Sequence, residues 1–163
     1  LSKNINDILT RLLICPNSKV IEDFGEDDMN KYKSESNSLN ITYKGEDGSI
    51  NLNISLLSRI SLIESLFDSV VKTDLEFSES LNIIEKIIEL ISNSSSEVRN
   101  KVVQNIILTG GINNCIGLHK RISDDLKKAI QLRENSHLQS LSNKLNVHKI
   151  LYSRNCLSWI GGK

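Results

Sequence analysis

Apolar residues recur along the chain at two spacings, and the change from one to the other marks the elements. In residues 5 to 14, Ile5, Ile8, Leu9 and Leu12 fall at helical spacing, and Pro16, the only proline, ends that helix. Leu39, Ile41 and Tyr43 then alternate with polar residues. So do Ile50, Leu52 and Ile54 after a Gly45–Gly48 turn, which predicts a β-hairpin. Helical spacing returns in residues 56 to 70, with Leu56, Ile60, Ile63 and Phe67 inward, and in residues 79 to 91, with Leu81, Ile84, Ile88 and Ile91 inward. Ser94 and Glu97 fit a capping box for a short helix, EVRNKVV.

The stretch VQNIILTGGINNCIGLHKRISDDL, residues 103 to 126, is the centre of the pattern. Its apolar run, Val103, Ile106, Ile107 and Leu108, predicts a strand. Gly110, Gly111 and Gly117 predict a turn, and Leu118, Ile122 and Leu126 predict a helix over 116 to 130. Strand, glycine turn and helix together let backbone approach a ligand closely. The spacing is neither of the two common phosphate-loop patterns, so by itself it predicts a tight turn more often than a ligand site. Beyond it, residues 132 to 144 are polar and predict a loop or frayed helix. Val147, Ile150 and Leu151 predict a last strand. Strands and helices in this order indicate an α/β fold.

Charge adds little to this picture. The 163 residues carry 20 Lys+Arg and 20 Asp+Glu, so no global field calls for nucleic acid or a membrane surface. Residues 120 to 163 hold nine basic against three acidic side chains, which predicts a solvated basic face. The acidic run from Glu22 to Asp28 lacks the ligand ladder of a calcium loop and reads as a mobile surface excursion within residues 17 to 38. Partial disorder is expected there and at 132 to 145. Cys15, Cys115 and Cys156 stand far apart, and His119, His137 and His148 stand alone. Neither a disulfide framework nor a zinc site is predicted, and the compartment reads as reducing. No apolar run approaches a membrane span. No catalytic constellation appears: Glu85 with Glu89, Asp124 with Asp125, and His119 all read as surface groups.

Four motifs in fixed order carry a resemblance. They are Tyr43…Asp47-Gly48 in the hairpin, Ile63…Leu66-Phe67 in the following helix, N-I-I-L-T-G-G…G at the glycine turn, and S-W-I-G-G near the end. Together they resemble the C-terminal half of the actin family, where the turn reads [ST]-G-G-x-x-x-x-P-G. Thr109, Gly110, Gly111 and Gly117 are in register with it, and Ile116 replaces the proline. The resemblance implies an actin-like, ribonuclease-H-type α/β fold, shared with the HSP70 and hexokinase ATPases. Residues 39 to 163 would form the large C-terminal subdomain, and residues 1 to 38 a remnant of the smaller one.

In that family ATP or ADP with Mg2+ lies between two lobes, and the other lobe supplies the phosphate loops and the groups that orient water. The 163 residues are therefore expected to lack ATPase activity on their own. The purine-side residues implied are Gly110, Gly111, Ile112, Asn114 and Cys115, with Asn155 in place of a lysine. Leu9 and Thr10 replace a Lys-Glu pair near the ribose. Each lost charged partner removes a charge-assisted bond of about 1.5–3 kcal/mol, so nucleotide binding is expected to be weak, altered or absent.

Within the family, S-R-N-C-L-S-W-I-G-G is similar to a segment of the pointed-end actin-related protein of dynactin. That likeness implies a cytoplasmic, cytoskeletal capping subunit whose partners are actin-like filament subunits and other dynactin-type proteins, not nucleic acid. An ATP-binding assembly protein and a nuclear chromatin-remodeller subunit remain open alternatives.

Overall fold

The computed structural model describes residues 12–22, 38–45, 48–67, 82–149 and 157–162. Most of the first expected helix (residues 5 to 11), most of the acidic excursion, Leu81, Ile150 and Leu151 lie outside the described residues.

The hairpin forms as its alternation predicts. Strands β1 (Leu39–Gly45) and β2 (Gly48–Ile54) pair antiparallel, with Leu39 opposite Ile54 and Ile41 opposite Leu52. Asn40, Thr42, Asn51 and Asn53 are exposed, while Leu39, Ile41, Leu52 and Ile54 are half-buried. The period of two thus sorts polar side chains to one face and aliphatics to the other. Thr42 Oγ1 donates to Asn51 Oδ1 across the pair at 2.8 Å.

The helices carry the core. A short α1 (Ser18–Glu22) precedes the hairpin, and α2 (Leu56–Glu64) follows it. Ser55 caps α2, its Oγ accepting from the Ser58 amide at 3.1 Å. Ile60, Ile63 and Phe67 are buried, as their spacing predicts. In α3 (Ile83–Asn93), Asn82 Oδ1 accepts from the amides of Ile84 and Glu85, and Ile84, Ile88 and Ile91 face inward. Helix α4 spans Ser96–Gln104, α5 spans Leu118–Gln131 and α6 spans Leu157–Gly161. Leu118, Ile122, Leu126 and Ile130 of α5 complete the core with α3.

Four expectations need correction. The Ser94–Glu97 capping box does not form. Ser94 Oγ instead donates to the Leu90 carbonyl at 2.8 Å, closing α3, and α4 starts after Ser95 without a side-chain cap. Arg99 takes over the junction, donating to the carbonyls of Ile91, Ser92 and Ser94. Those three acceptors at a helix end outweigh a capping box, because the last carbonyls of a helix are left short of donors.

The strand expected at Val103 to Leu108 is reduced to one residue. Helix α4 runs through Val103, whose side chain is fully buried, and only Ile106 pairs, in a parallel bridge with Val147. Of the expected last strand, Val147 pairs with Ile106, and Ile150 and Leu151 lie outside the described residues. Residues 132 to 145 are no loose loop. Arg133–Lys144 winds in 3-10 turns, interrupted at Asn135 (φ −100, ψ 29), and Leu138, Leu141 and Leu145 enter the core. Three leucines at helical spacing were enough, despite the polar residues between them.

His119 is no surface histidine. It is half-buried, and its Nε2–H points at the carbonyls of Val147 (3.1 Å) and His148 (3.3 Å), tying α5 to the Val147 bridge.

Candidate functional site

The candidate site is the turn Thr109–Gly117 at the head of α5. Gly110 adopts φ +100, ψ 174, a region in which side chains are strained. A Cβ there would meet only Asn113 Nδ2, at 3.8 Å, so the backbone is open to close approach. Residues Gly111–Asn114 then make one 3-10 turn, tightened by the Asn113 side-chain amide donating to the Thr109 carbonyl. Gly117 (φ +92) starts α5.

Gly117 is fixed by packing as well as by conformation. A Cβ on it would lie 2.1 Å from the Cys15 carbonyl oxygen, inside any permitted contact. The segment Leu12–Ser18 passes directly against the turn at this point. Ile14 bridges Ile116 in parallel, and the Cys15 amide donates to the Ile116 carbonyl at 2.9 Å.

The predicted site residues divide. Gly110, Ile112 (46 % exposed) and Asn114 are open to solvent, and Gly111 is half-buried. Cys115 is 3 % exposed and packs in the core, so it presents backbone, not a side chain, to any ligand. Thr10 and Asn155 lie outside the described residues. The structure therefore brings together Gly110 to Cys115 as one turn.

Beneath the turn lies an ionic cluster that the apolar pattern hides. Arg121 (5 % exposed) faces Glu64 (0 %) in a two-pronged pair, Nη1–Oε1 and Nη2–Oε2 both at 3.4 Å. Its Nε donates to Asp125, its Nη1 donates to the Pro16 carbonyl at 2.9 Å, and its guanidinium lies 4.8 Å from the Phe67 ring centre. Asp125 is thus a partner in this cluster rather than the surface charge expected. Its Oδ1 is buried without a hydrogen bond among the described residues. One signal could have found the cluster. Arg121 and Asp125 fall four apart on the same α5 stripe as Leu118, Ile122 and Leu126, where a solvated charge has no place.

Both thiols near the turn are held neutral. Burial, then the carboxylate of Glu64, pushes the Cys15 thiol up to about 12. Burial pushes Cys115 up to about 11.

These residues can accept an uncharged ligand edge against the Gly110 backbone. No residue from Thr109 to Gly117 is cationic, so any ligand at the turn meets backbone amides and neutral side chains. Among the described residues no group of His, Cys, Asp and Glu could hold a metal ion, and no helix is long and apolar enough to cross a membrane.

A comparison with curated proteins found no significant match. The family model described as Actin matches residues 15–163, which takes in the hairpin, the glycine turn, α5 and the final W-I-G-G. With the match spanning nearly the whole sequence, the chain belongs to the actin family.

Proposed function

We propose that this actin-family chain serves as a structural subunit of the pointed-end, filament-capping type found in dynactin, and that it does not turn over ATP. The observation that carries the reading is the turn Thr109–Gly117. It keeps the open Gly110 backbone, yet its exposed side chains are Thr109, Ile112, Asn114 and Ile116, with no charged group for a charge-assisted bond to a nucleotide. The resemblance of S-R-N-C-L-S-W-I-G-G to the pointed-end subunit supports the same assignment, and Trp159 in that motif is exposed. A divergent subunit that binds one neighbour and lacks the complementary second surface terminates a head-to-tail filament. The place of work would then be the cytoplasmic cytoskeleton.

The test is capture of the full-length protein followed by mass spectrometry of its partners. Dynactin subunits and actin-like filament subunits are expected. Recovery of a chromatin-remodeller motor without any dynactin subunit would overturn the assignment. A second reading, an ATP-binding switch that assembles with its own kind, is favoured by one feature, the open φ-positive backbone at Gly110. It requires stoichiometric ATP or ADP on denaturing the purified protein and magnesium-dependent self-assembly. The capping reading expects neither.

A further inference from the structure

We infer that the segment Leu12–Ser18 and the turn Cys115–Gly117 form a latch, held shut by the Arg121 guanidinium, that opens as a unit and bares Cys15 and Cys115 together while the helical core stays folded. The inference goes beyond the capping role and does not depend on it.

The backbone contacts across this seam are few and specific. The backbones meet in a single bridge, Ile14 with Ile116, and not in a ladder. The Cys15 amide reaches the Ile116 carbonyl, and the Ile14 amide reaches the Arg59 carbonyl at 3.3 Å. Three long side chains then tie the segment down. Arg59 Nε donates to the Leu12 carbonyl at 2.7 Å, Arg121 Nη1 donates to the Pro16 carbonyl at 2.9 Å, and Lys128 Nζ donates to Ser18 Oγ at 2.6 Å. The two thiols share the inner side of the seam. Cys15 and Cys115 are buried, while Ile116 on the alternate face is 70 % exposed.

The chemistry of opening favours a local event. When Leu12–Ser18 lifts, Arg121 keeps Glu64 and Asp125, so no buried carboxylate is stranded and the guanidinium loses only its bond to Pro16. The segment gives the core two side chains, Leu13 and Cys15, beside Cys115 of the turn, and Ile63, Ile91, Ile122, Leu126 and Ile130 contribute no atom to the seam hydrogen bonds. Units with few buried contacts open before the whole fold does. Gly117 makes the closed form exclusive, because the Cys15 carbonyl occupies the place of a Cβ. Lifting the segment therefore frees the glycine turn.

Thiol labelling reads this directly. The full chain, with Cys156→Ser to leave two thiols, is treated with iodoacetamide at pH 8 and followed by peptide mass spectrometry. Cys15 and Cys115 are expected to label at one common rate, faster than global unfolding measured by circular dichroism. Arg121→Lys, which cannot fork between Pro16 and the carboxylates, is expected to raise that common rate about tenfold. Hydrogen exchange on the unsubstituted chain gives an independent measure, with the Cys15 amide exchanging well ahead of the Leu126 amide. Labelling only at the global unfolding rate, unrelated rates for the two thiols, or equal exchange at Cys15 and Leu126 would each overturn the latch.

Discussion

At the residue scale, Gly117, Arg121 and Cys15 meet around one seam, and each is constrained for a different reason. Gly117 has both positive φ and no room. Gly117→Ala is expected to lower stability by about 2 kcal/mol or more, since left-handed strain of about 1–3 kcal/mol adds to a clash with the Cys15 carbonyl. Chemical denaturation should show a larger loss than for Glu97→Ala on the surface of α4, where the ion pair with Lys101 is exposed on both sides. Arg121→Met leaves Glu64 buried without its cation, and a loss of about 3–5 kcal/mol is expected. The thiols set an alkaline limit. Their folded pKa values, about 12 for Cys15 and about 11 for Cys115, lie above the ordinary 9.0. The folded state therefore holds those protons more tightly than the unfolded chain. The stability this contributes is complete below pH 9 and is lost as pH rises through about 11 and 12. Denaturation midpoints measured from pH 8 upward should fall above pH 9, and less so in Cys15→Ser.

At the scale of elements, local chemistry decides which helix ends are sharp. Asn82 satisfies two amides at the start of α3, whereas Ser95, one residue before α4, satisfies none with its side chain. Asn82→Ala is expected to cost about 1 kcal/mol and Ser95→Ala a few tenths, a contrast that paired thermal melts would resolve. Equal effects would mean that the Asn82 cap contributes nothing. The α3–α4 junction also shows why a capping motif can fail. One guanidinium, that of Arg99, gathers the carbonyls of Ile91, Ser92 and Ser94, and the serine three before Glu97 closes one helix instead of opening the next.

At the scale of the molecule, the core is a helical layer to which single bridging residues are pinned. The segment Arg133–Lys144 belongs to that core, contacting α5 and α4. Leu138→Ala is therefore expected to cost about 2–5 kcal/mol, in the range of a buried leucine in a helix. A loss under about 1 kcal/mol in urea denaturation would return the segment to the status of a loop. His119 joins the same assembly, since its Nε2–H holds the Val147 carbonyl beside Ile106. The site thus rests on a frame made by distant parts of the chain, residues 12–18, 64, 106, 121 and 147.

What was legible in the amino-acid order was whatever depends on near neighbours. The alternation of the hairpin, the inward faces of α2, α3 and α5, and the glycine turn itself all follow from period and backbone sterics within a few residues, whereas the lack of room at Gly117 comes from the remote Cys15 carbonyl. The order of motifs was enough to indicate the actin family, since each records a local turn or strand end. Tertiary structure decided the rest, because the deciding partners are remote in sequence. Arg121 is buried only because Glu64, 57 positions away, and the Pro16 carbonyl, 105 away, meet it. Cys115 is buried because Leu12–Ser18 crosses the turn beside it. The strand at Ile106 shortened because Val103 was better buried on α4. Near-neighbour patterns carry the elements, while the charge pairs and carbonyl contacts that shape the glycine turn exist only once distant segments have closed on each other.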